Sequence, residues 1–279
     1  MGQRTTQSSD LVVLASTTFL ADIAQNVAGS RLSIASLLPA GADPHSYQPV
    51  PSDLAKISKS TLLIVNGAEY EKFLEPLLEA AGGKRTVIVA SAGIELRKDT
   101  QMEHGLDPHL WLDPNNVIVY VQNIRDGLGQ ADPQGEEIYR SNAQAYTAKL
   151  KELDTWIAGQ VAAIPPERRL LVTNHETLGY FADRYGFKIA GTVLRSASSE
   201  ASVSARDLSD VINEIKAAGV PVIFLDKVEN PMFAQQIAAE TGVLVVDDLQ
   251  LESLTNGPPA PTYIEMMRYN VTRIVQALK

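Results

Sequence analysis

Three of the four histidines stand where a metal site could form. His45 follows a predicted strand in the segment ADPHSYQP, His109 lies beyond another in DPHLWLDP, and His175 ends a third in VTNHETLG. The carboxyl ends of parallel strands line the ligand crevice of an open α/β sheet, so we expect these three imidazoles to share a crevice. Neutral imidazole is a preferred zinc ligand. His104 stands in a charged loop, where we expect a solvated side chain.

A carboxylate would complete the set, and several compete for that position. Glu252, in LQLESL after the last predicted strand, would give three nitrogens and one oxygen, a set that tetrahedral zinc accepts. Asp247 and Asp248 stand nearby in the sequence, and Glu176 directly follows the third histidine. The Asp-Pro steps before two of the histidines also fit simple turns.

The composition excludes several other classes of chemistry. The chain has no cysteine, which excludes disulfides, thiolate metal sites and a cysteine nucleophile. Its 24 basic and 33 acidic residues give 24 − 33 = −9, so we expect no nucleic-acid partner. Phosphate-binding glycine loops, a G-x-S-x-G elbow and an H-E-x-x-H pair are all absent from the sequence.

Short apolar runs alternate with helical patterns along the 279 residues, which predicts an α/β fold of parallel βαβ units. The predicted strands are residues 11–17, 31–38, 61–66, 86–90, 169–174, 188–193, 220–226 and 243–249. Predicted helices between them include residues 70–81, 114–128, 177–185, 204–218, 231–241 and 262–278. No apolar run reaches the roughly 18 residues that a transmembrane helix needs.

A long helix is predicted in the middle of the chain, between Asp132-Pro133 and Pro165-Pro166. Some 30 residues at 1.5 Å each span about 45 Å, which is about the width of a domain. It is either a long surface helix or a backbone that joins two lobes. Its apolar stripe is predicted to hold Ile138, Tyr139, Tyr146, Leu150, Leu153, Ile157 and Val161.

From about residue 10 to its end, the chain resembles the metal-binding solute-binding proteins of zinc and manganese ABC importers, the ZnuA/TroA-like family. The motifs that carry this resemblance are LLPAGADPHSYQPVPSDLAKI (37–57), LIVNGAEYEKFLEPLL (63–78), GLDPHLWLDPNN (105–116), LLVTNHETLGYFADRYG (170–186) and PAPTYIEMMRYN (259–270). The resemblance implies two lobes, each a parallel sheet flanked by helices, joined by one long rigid helix. The lobes would cover residues 11–132 and 165–279, the helix 133–164, and a disordered tether 1–10.

The resemblance also implies the ligands of a metal held between the lobes. His45 and His109 match the two ligands of the amino-terminal lobe. His175 matches the third, where manganese-type members usually carry Glu. Glu252 falls where the family usually has Asp. Zinc-type relatives often carry a long His-rich loop, which is reduced here to about residues 97–106 with His104 alone.

Together with the three histidines, the resemblance implies a zinc-binding component of an ABC importer that delivers its ion to a membrane permease. The same carrier for Mn²⁺ is the alternative, and a zinc hydrolase is a more distant one, because a fourth protein ligand would close the position that catalytic zinc keeps open. We expect a monomer and no enzymatic activity. The polar start MGQRTTQSSD lacks a signal-peptide core and fits a cytoplasmic protein or an exported one whose signal has been removed. The resemblance favours a periplasmic or other extracytoplasmic location and leaves a lipid anchor on the precursor open.

Overall fold

The computed structural model describes residues 11–98, 105–194 and 205–279. The segment predicted as a tether, 1–10, lies outside the described residues, and so does His104. Within the described ranges the strands are β1 Val13–Ala15, β2 Ile34–Ser36, β3 Leu62–Val65, β4 Thr86–Val89, β5 Leu170–Thr173, β6 Lys188–Thr192, β7 Val222–Asp226 and β8 Leu244–Leu249. The α-helices are α1 Thr18–Ala28, α2 Pro51–Lys59, α3 Leu74–Ala81, α4 Pro114–Ala131, α5 Glu136–Val161, α6 Gly179–Tyr185, α7 Ala205–Ala218, α8 Met232–Thr241 and α9 Tyr263–Leu278.

The strands form two parallel four-stranded sheets, with the orders β2-β1-β3-β4 and β6-β5-β7-β8. Helices follow the strands and flank each sheet, which confirms the predicted α/β class with two lobes. We call β1–β4 with α1–α4 the amino-terminal lobe and β5–β8 with α6–α9 the carboxy-terminal lobe. All strands of a sheet run the same way, so their carboxyl ends meet at one edge, where the predicted ligands follow them.

Side-chain caps fix where several helices begin. Thr17 accepts a hydrogen bond from the backbone N–H of Leu20 at the start of α1, and Asp113 accepts one from Asn115 at the start of α4. Such caps satisfy amide groups that a helix leaves without a partner. Pro114 occupies the first turn of α4, where no amide hydrogen is needed. The capping side chains of Thr17 and Asp113 therefore fix the residues at which α1 and α4 begin.

The long helix is shorter than its predicted range of 133–164. It covers 26 residues, Glu136–Val161, or about 39 Å at 1.5 Å per residue. Pro133–Gly135 forms a separate 3-10 turn before it, because the amide of Gly135 bonds back to the carbonyl of Asp132. The predicted apolar stripe is buried except for Ile138, which is 43% exposed, while Ala143 is buried on the same face.

The long helix α5 packs against α1 and α4 of the amino-terminal lobe and against α9 of the carboxy-terminal lobe. One hydrophobic cluster runs through both lobes, and Trp111, Tyr139, Phe181, Phe224 and Tyr263 all belong to it. Packing between the lobes is thus continuous with the packing inside them. Among the described residues, no helix has both the length and the apolar character that crossing a membrane would require.

Candidate metal centre

His45 lies in the loop between β2 and α2, at the carboxyl edge of the first sheet. The carboxylate of Asp43 accepts hydrogen bonds from the backbone N–H of His45 (2.9 Å) and from the hydroxyl of Ser46 (2.7 Å). The aspartate of this Asp-Pro-His segment therefore shapes the turn that presents the imidazole. The His45 side chain is mostly buried, with 13% of its surface exposed.

The second Asp-Pro-His segment makes the same turn and also fixes the histidine ring. Asp107 Oδ1 accepts from the backbone N–H of His109 at 3.0 Å and lies 2.9 Å from its Nδ1. A carboxylate only accepts, so Nδ1 donates to it, and in the neutral ring Nε2 carries the free lone pair. The turn-forming role of the Asp-Pro steps and the ligand role of the histidines are thus parts of one arrangement.

His175 follows β5 and receives an equivalent support from the carboxy-terminal lobe. Its Nδ1 lies 2.9 Å from Glu229 Oε1, in the loop after β7. The other oxygen of Glu229 accepts from the backbone N–H of Asp226 at 2.8 Å, which holds the carboxylate in place. The Nε2 atom of His175 therefore also points its lone pair away from its support.

Glu252 is held from both lobes. Its backbone N–H donates to Asp226 Oδ2 at 2.8 Å, and its Oε2 accepts from the hydroxyl of Tyr70 at 2.6 Å. Tyr70 belongs to the amino-terminal lobe and follows Gly67, Ala68 and Glu69, all of which have positive φ (85°, 53° and 61°). This left-handed turn delays α3, which was predicted from residue 70 and begins at Leu74.

The structure brings the four predicted ligands together. Nε2 of His45, His109 and His175 lie 3.5, 3.1 and 3.7 Å from Glu252 Oε1. The Nε2 atoms of His109 and His175 are 3.4 Å apart. A tetrahedral zinc ion with bonds of about 2.0–2.1 Å separates its ligands by about 3.3–3.4 Å, so the spacing fits such an ion.

Two of these ligand atoms have no hydrogen-bond partner outside the cluster. His45 Nε2 and Glu252 Oε1 are buried, and neither makes a hydrogen bond to any residue that the structure describes. Leaving a buried polar atom without a partner costs about 1–3 kcal/mol. Both atoms face the point that the other imidazole nitrogens face, so a cation at that point would satisfy them together.

The competing acids are engaged elsewhere. Asp247 is exposed, and Asp248 accepts hydrogen bonds from Tyr269 (2.9 Å) and Arg273 (3.0 Å). Glu176 is buried but accepts from Arg97 Nη1 at 3.0 Å. Of the four carboxylates weighed in the sequence, only that of Glu252 joins the histidine cluster within the described chain.

Charge organises the metal-free site. Burial alone would lower the pKa of His109, but the charges of Glu252 and Asp107 outweigh it and raise that pKa to about 9. Burial likewise opposes the charged form of His175, while Glu229 and Glu252 raise its pKa to about 10. Burial also disfavours the charged Glu252, yet the neighbouring imidazoles hold its pKa well below the usual range. Without a metal, protons on His109 and His175 therefore supply the positive charge that balances Glu252.

Comparison with known proteins places these residues in a family. The family model described as "Zinc-uptake complex component A periplasmic" matches residues 13–277. The chain belongs to the ZnuA family of metal-binding components of ABC importers. Its ZnuA-type fold is also that of the periplasmic zinc-binding protein TroA from Treponema pallidum, with a TM-score of 0.85, 26% identity, and coverage of 95% of this chain and 98% of that one.

Relatives of this ZnuA-family chain carry names with different metals. The manganese-binding lipoprotein MntA of Halalkalibacterium halodurans is 35% identical over 96% of this chain and 88% of its own length. The iron-binding protein YfeA of Yersinia pestis is 33% identical over 95% of this chain and 85% of its own. Several streptococcal relatives are named as substrate-binding lipoproteins of manganese ABC transporters. Membership of the family therefore establishes metal binding for transport without choosing the metal.

Sequence reasoning missed the residues that hold the ligands. Asp107 could have been found, since it stands two positions before His109 in a motif already singled out. Glu229 and Tyr70 reach their partners across 54 and 182 positions of the chain and leave no local pattern.

Proposed function

We propose that this chain is the extracytoplasmic zinc-binding component of an ABC importer, which captures the ion and delivers it to a membrane permease. The supporting observation is the convergence of three imidazole nitrogens and one carboxylate oxygen, two of them buried without another partner. His45, His109, His175 and Glu252 are the proposed ligands, and Zn²⁺ is cargo rather than a resident cofactor. We further propose that the chain acts as a monomer and does not catalyse a reaction.

Zinc is favoured over manganese by the way in which Glu252 is held. Tyr70 engages Oε2 at 2.6 Å and leaves Oε1 alone facing the histidines. A carboxylate held in this way supplies one oxygen, so the protein offers four ligands, three of them nitrogen. Imidazole suits zinc, whereas Mn²⁺ prefers sites rich in oxygen, and zinc also stands above manganese in intrinsic affinity for such ligands.

Manganese is the second candidate, and the names of several relatives favour it. A cell loads the metal that is available as well as the one that binds tightest, so transport of manganese is compatible with a site that prefers zinc. A hydrolase is disfavoured, because four protein ligands leave no position for the water that a catalytic zinc activates.

Competition between the two ions tests the proposal. We expect Zn²⁺ to displace Mn²⁺ from the metal-stripped and reloaded protein at equal concentrations, as measured by elemental analysis after desalting. His175→Glu should narrow the preference, because it replaces a nitrogen by an oxygen and adds a negative charge. Ejection of bound Zn²⁺ by excess Mn²⁺ from the unchanged protein would overturn the zinc assignment and leave the manganese carrier.

A further inference from the structure

The guanidinium of Arg97 joins carboxylates of both lobes beside the metal centre. Nη1 donates to Asp107 Oδ2 at 2.9 Å and to Glu176 Oε1 at 3.0 Å, and Nε donates to Asp183 Oδ2 at 2.7 Å. Arg97 and Asp107 follow β4 in the amino-terminal lobe. Glu176 and Asp183 belong to the carboxy-terminal lobe, the first after β5 and the second on α6.

Two of these carboxylates lead directly to proposed ligands. The second oxygen of Asp107 holds Nδ1 of His109, and Glu176 is the residue next to His175. The Nε2 atoms of these two histidines lie 3.4 Å apart across the lobe boundary. Arg97 therefore links the carboxylate that supports His109 in one lobe to the residue beside His175 in the other.

Hydrogen bonds also fix the backbone at Arg97. The N–H of Arg97 donates to the hydroxyl of Tyr180 at 2.9 Å, and that hydroxyl donates to the carbonyl of Asp107 at 3.0 Å. The N–H of Asp107 donates in turn to the carbonyl of Arg97 at 3.0 Å. These bonds connect the segment that carries Arg97 to α6 on the other lobe and hold the backbone from which its side chain extends.

Gly179 shows how closely the fold surrounds Arg97. A Cβ atom at position 179 would lie 1.7 Å from Arg97 Nη1 and 2.5 Å from Asp107 Oδ2. Real Cβ atoms do not come that close, so any side chain there would displace the guanidinium. The first residue of α6 is thus a glycine because the Arg97 side chain occupies the space of a Cβ atom, and not because its φ is positive.

We propose that Arg97 is a positioning residue for the transported metal: by joining Asp107 to Glu176 it holds His109 and His175 at ligand spacing and so lengthens the residence time of the ion. This inference rests on the proposed function. Outer partners of metal ligands typically contribute about 10–100-fold to metal affinity. An arginine suits this role because its planar fork presents several donors in a fixed geometry, whereas a lysine offers one compact charge.

The alternative is that Arg97 only neutralises buried acids. In that case its loss would lower the unfolding temperature without changing how fast the folded protein releases its metal. The two roles are separated by measuring the zinc dissociation rate, with excess chelator added to the loaded protein, alongside thermal unfolding. The absorption spectrum of the Co²⁺-loaded protein reports ligand geometry independently.

We expect Arg97→Gln to speed zinc release by about 10–100-fold and to change the Co²⁺ spectrum. Arg97→Lys should restore part of the slow release. Gly179→Ala should speed release in the same way while leaving Arg97 in the chain, and combining it with Arg97→Gln should add little. Asp183→Asn is the matched control: it removes the exposed partner of Arg97, whose side chain is 66% exposed, and should leave the rate almost unchanged.

Zinc release at the unchanged rate from both Arg97→Gln and Gly179→Ala, with only lower unfolding temperatures, would overturn the positioning role. A fully additive double variant would also overturn it, because the two changes would then act through separate sites. The unchanged protein serves as the reference for the proposed function itself. If the unchanged protein does not retain zinc through desalting, the zinc-carrier proposal fails. If it retains zinc but the variants release it at the unchanged rate, only the positioning role of Arg97 fails.

Discussion

For His109 and His175, the carboxylate oxygen beside Nδ1 decides which ring nitrogen can bind a metal. Asp107 and Glu229 accept hydrogen bonds from Nδ1 of His109 and His175, so Nε2 is the nitrogen that each ring turns toward Glu252 and the one that gives up its proton when a metal binds. A neutral imidazole with the opposite tautomer would present a hydrogen to the same point. Residue identity alone therefore does not define the ligand; the carboxylate that fixes its tautomer does so as well.

Removing a single imidazole tests the proposed ligand set. We expect His45→Ala, His109→Ala and His175→Ala each to weaken zinc binding by more than the about 10–100-fold typical of an outer partner, because a metal–ligand bond itself is lost. Competition with a chromophoric chelator measures the change. His104→Ala is the control and should bind zinc like the unchanged protein. Equal losses from all four would contradict the assignment.

Proton release tests the charge of the metal-free site. The pKa values of His109 and His175, about 9 and about 10, mean that each carries a proton at pH 7 that the metal must displace. We expect zinc binding at pH 7 to release about one proton from each, and apparent affinity to rise with pH until about 9–10. Titration calorimetry in buffers of different ionisation enthalpy counts the protons. Binding without proton release would contradict this description.

The same shifts predict the pH dependence of the metal-free fold. Folded-state pKa values above the ordinary imidazole value of about 6.5 stabilise the folded protein below that pH. This contribution is lost as the pH rises through about 9 and about 10. Metal affinity therefore increases over the interval in which the metal-free protein loses stability.

At the scale of elements, the regular pattern of the chain predicts the strands well and the segments between elements less well. Each strand is an apolar run whose period and length are visible locally, and all eight are present in the described residues. The start of α3 lies later than predicted because Ala68 and Glu69 adopt positive φ, a conformation that neither residue type predicts. The long helix loses its first residues to a 3-10 turn at Pro133.

Ligand positions follow from these elements, whereas ligand supports do not. His45, His109 and His175 follow strands of parallel sheets, so their meeting at one crevice was predictable from topology. Glu229 contacts His175 because β5 and β7 are neighbours in one sheet, and Tyr70 contacts Glu252 because the two lobes face each other. Contacts of that kind depend on the relative placement of distant segments and leave no period in the sequence.

At the scale of the molecule, the loop that carries Glu252 is attached to the opposite lobe. Its carbonyl at Leu251 accepts from Trp111 Nε1 at 2.8 Å, and Ser253 Oγ accepts from the backbone N–H of Gly41 at 2.9 Å. Tyr263, on α9, donates through its hydroxyl to the carbonyl of Trp111 at 2.6 Å. The two bonds of Trp111 lie within the hydrophobic cluster that both lobes share, so a wide separation of the lobes would break buried bonds and packing together.

We therefore expect metal binding to cause a small, local closure rather than a wide hinge motion. Helical geometry through α5 cannot absorb a large rotation without losing hydrogen bonds, and the shared core adds to that resistance. The chain has no cysteine, so Glu79→Cys with Glu240→Cys places two spin labels on exposed sites of α3 and α8, one on each lobe. The distance between them should change little when zinc is added to the metal-free protein. A Lys59→Cys/Gln122→Cys pair within the amino-terminal lobe is the control, and it gives the width of the distance distribution when no lobe motion is involved. A lobe rotation of tens of degrees on zinc binding would contradict the expectation.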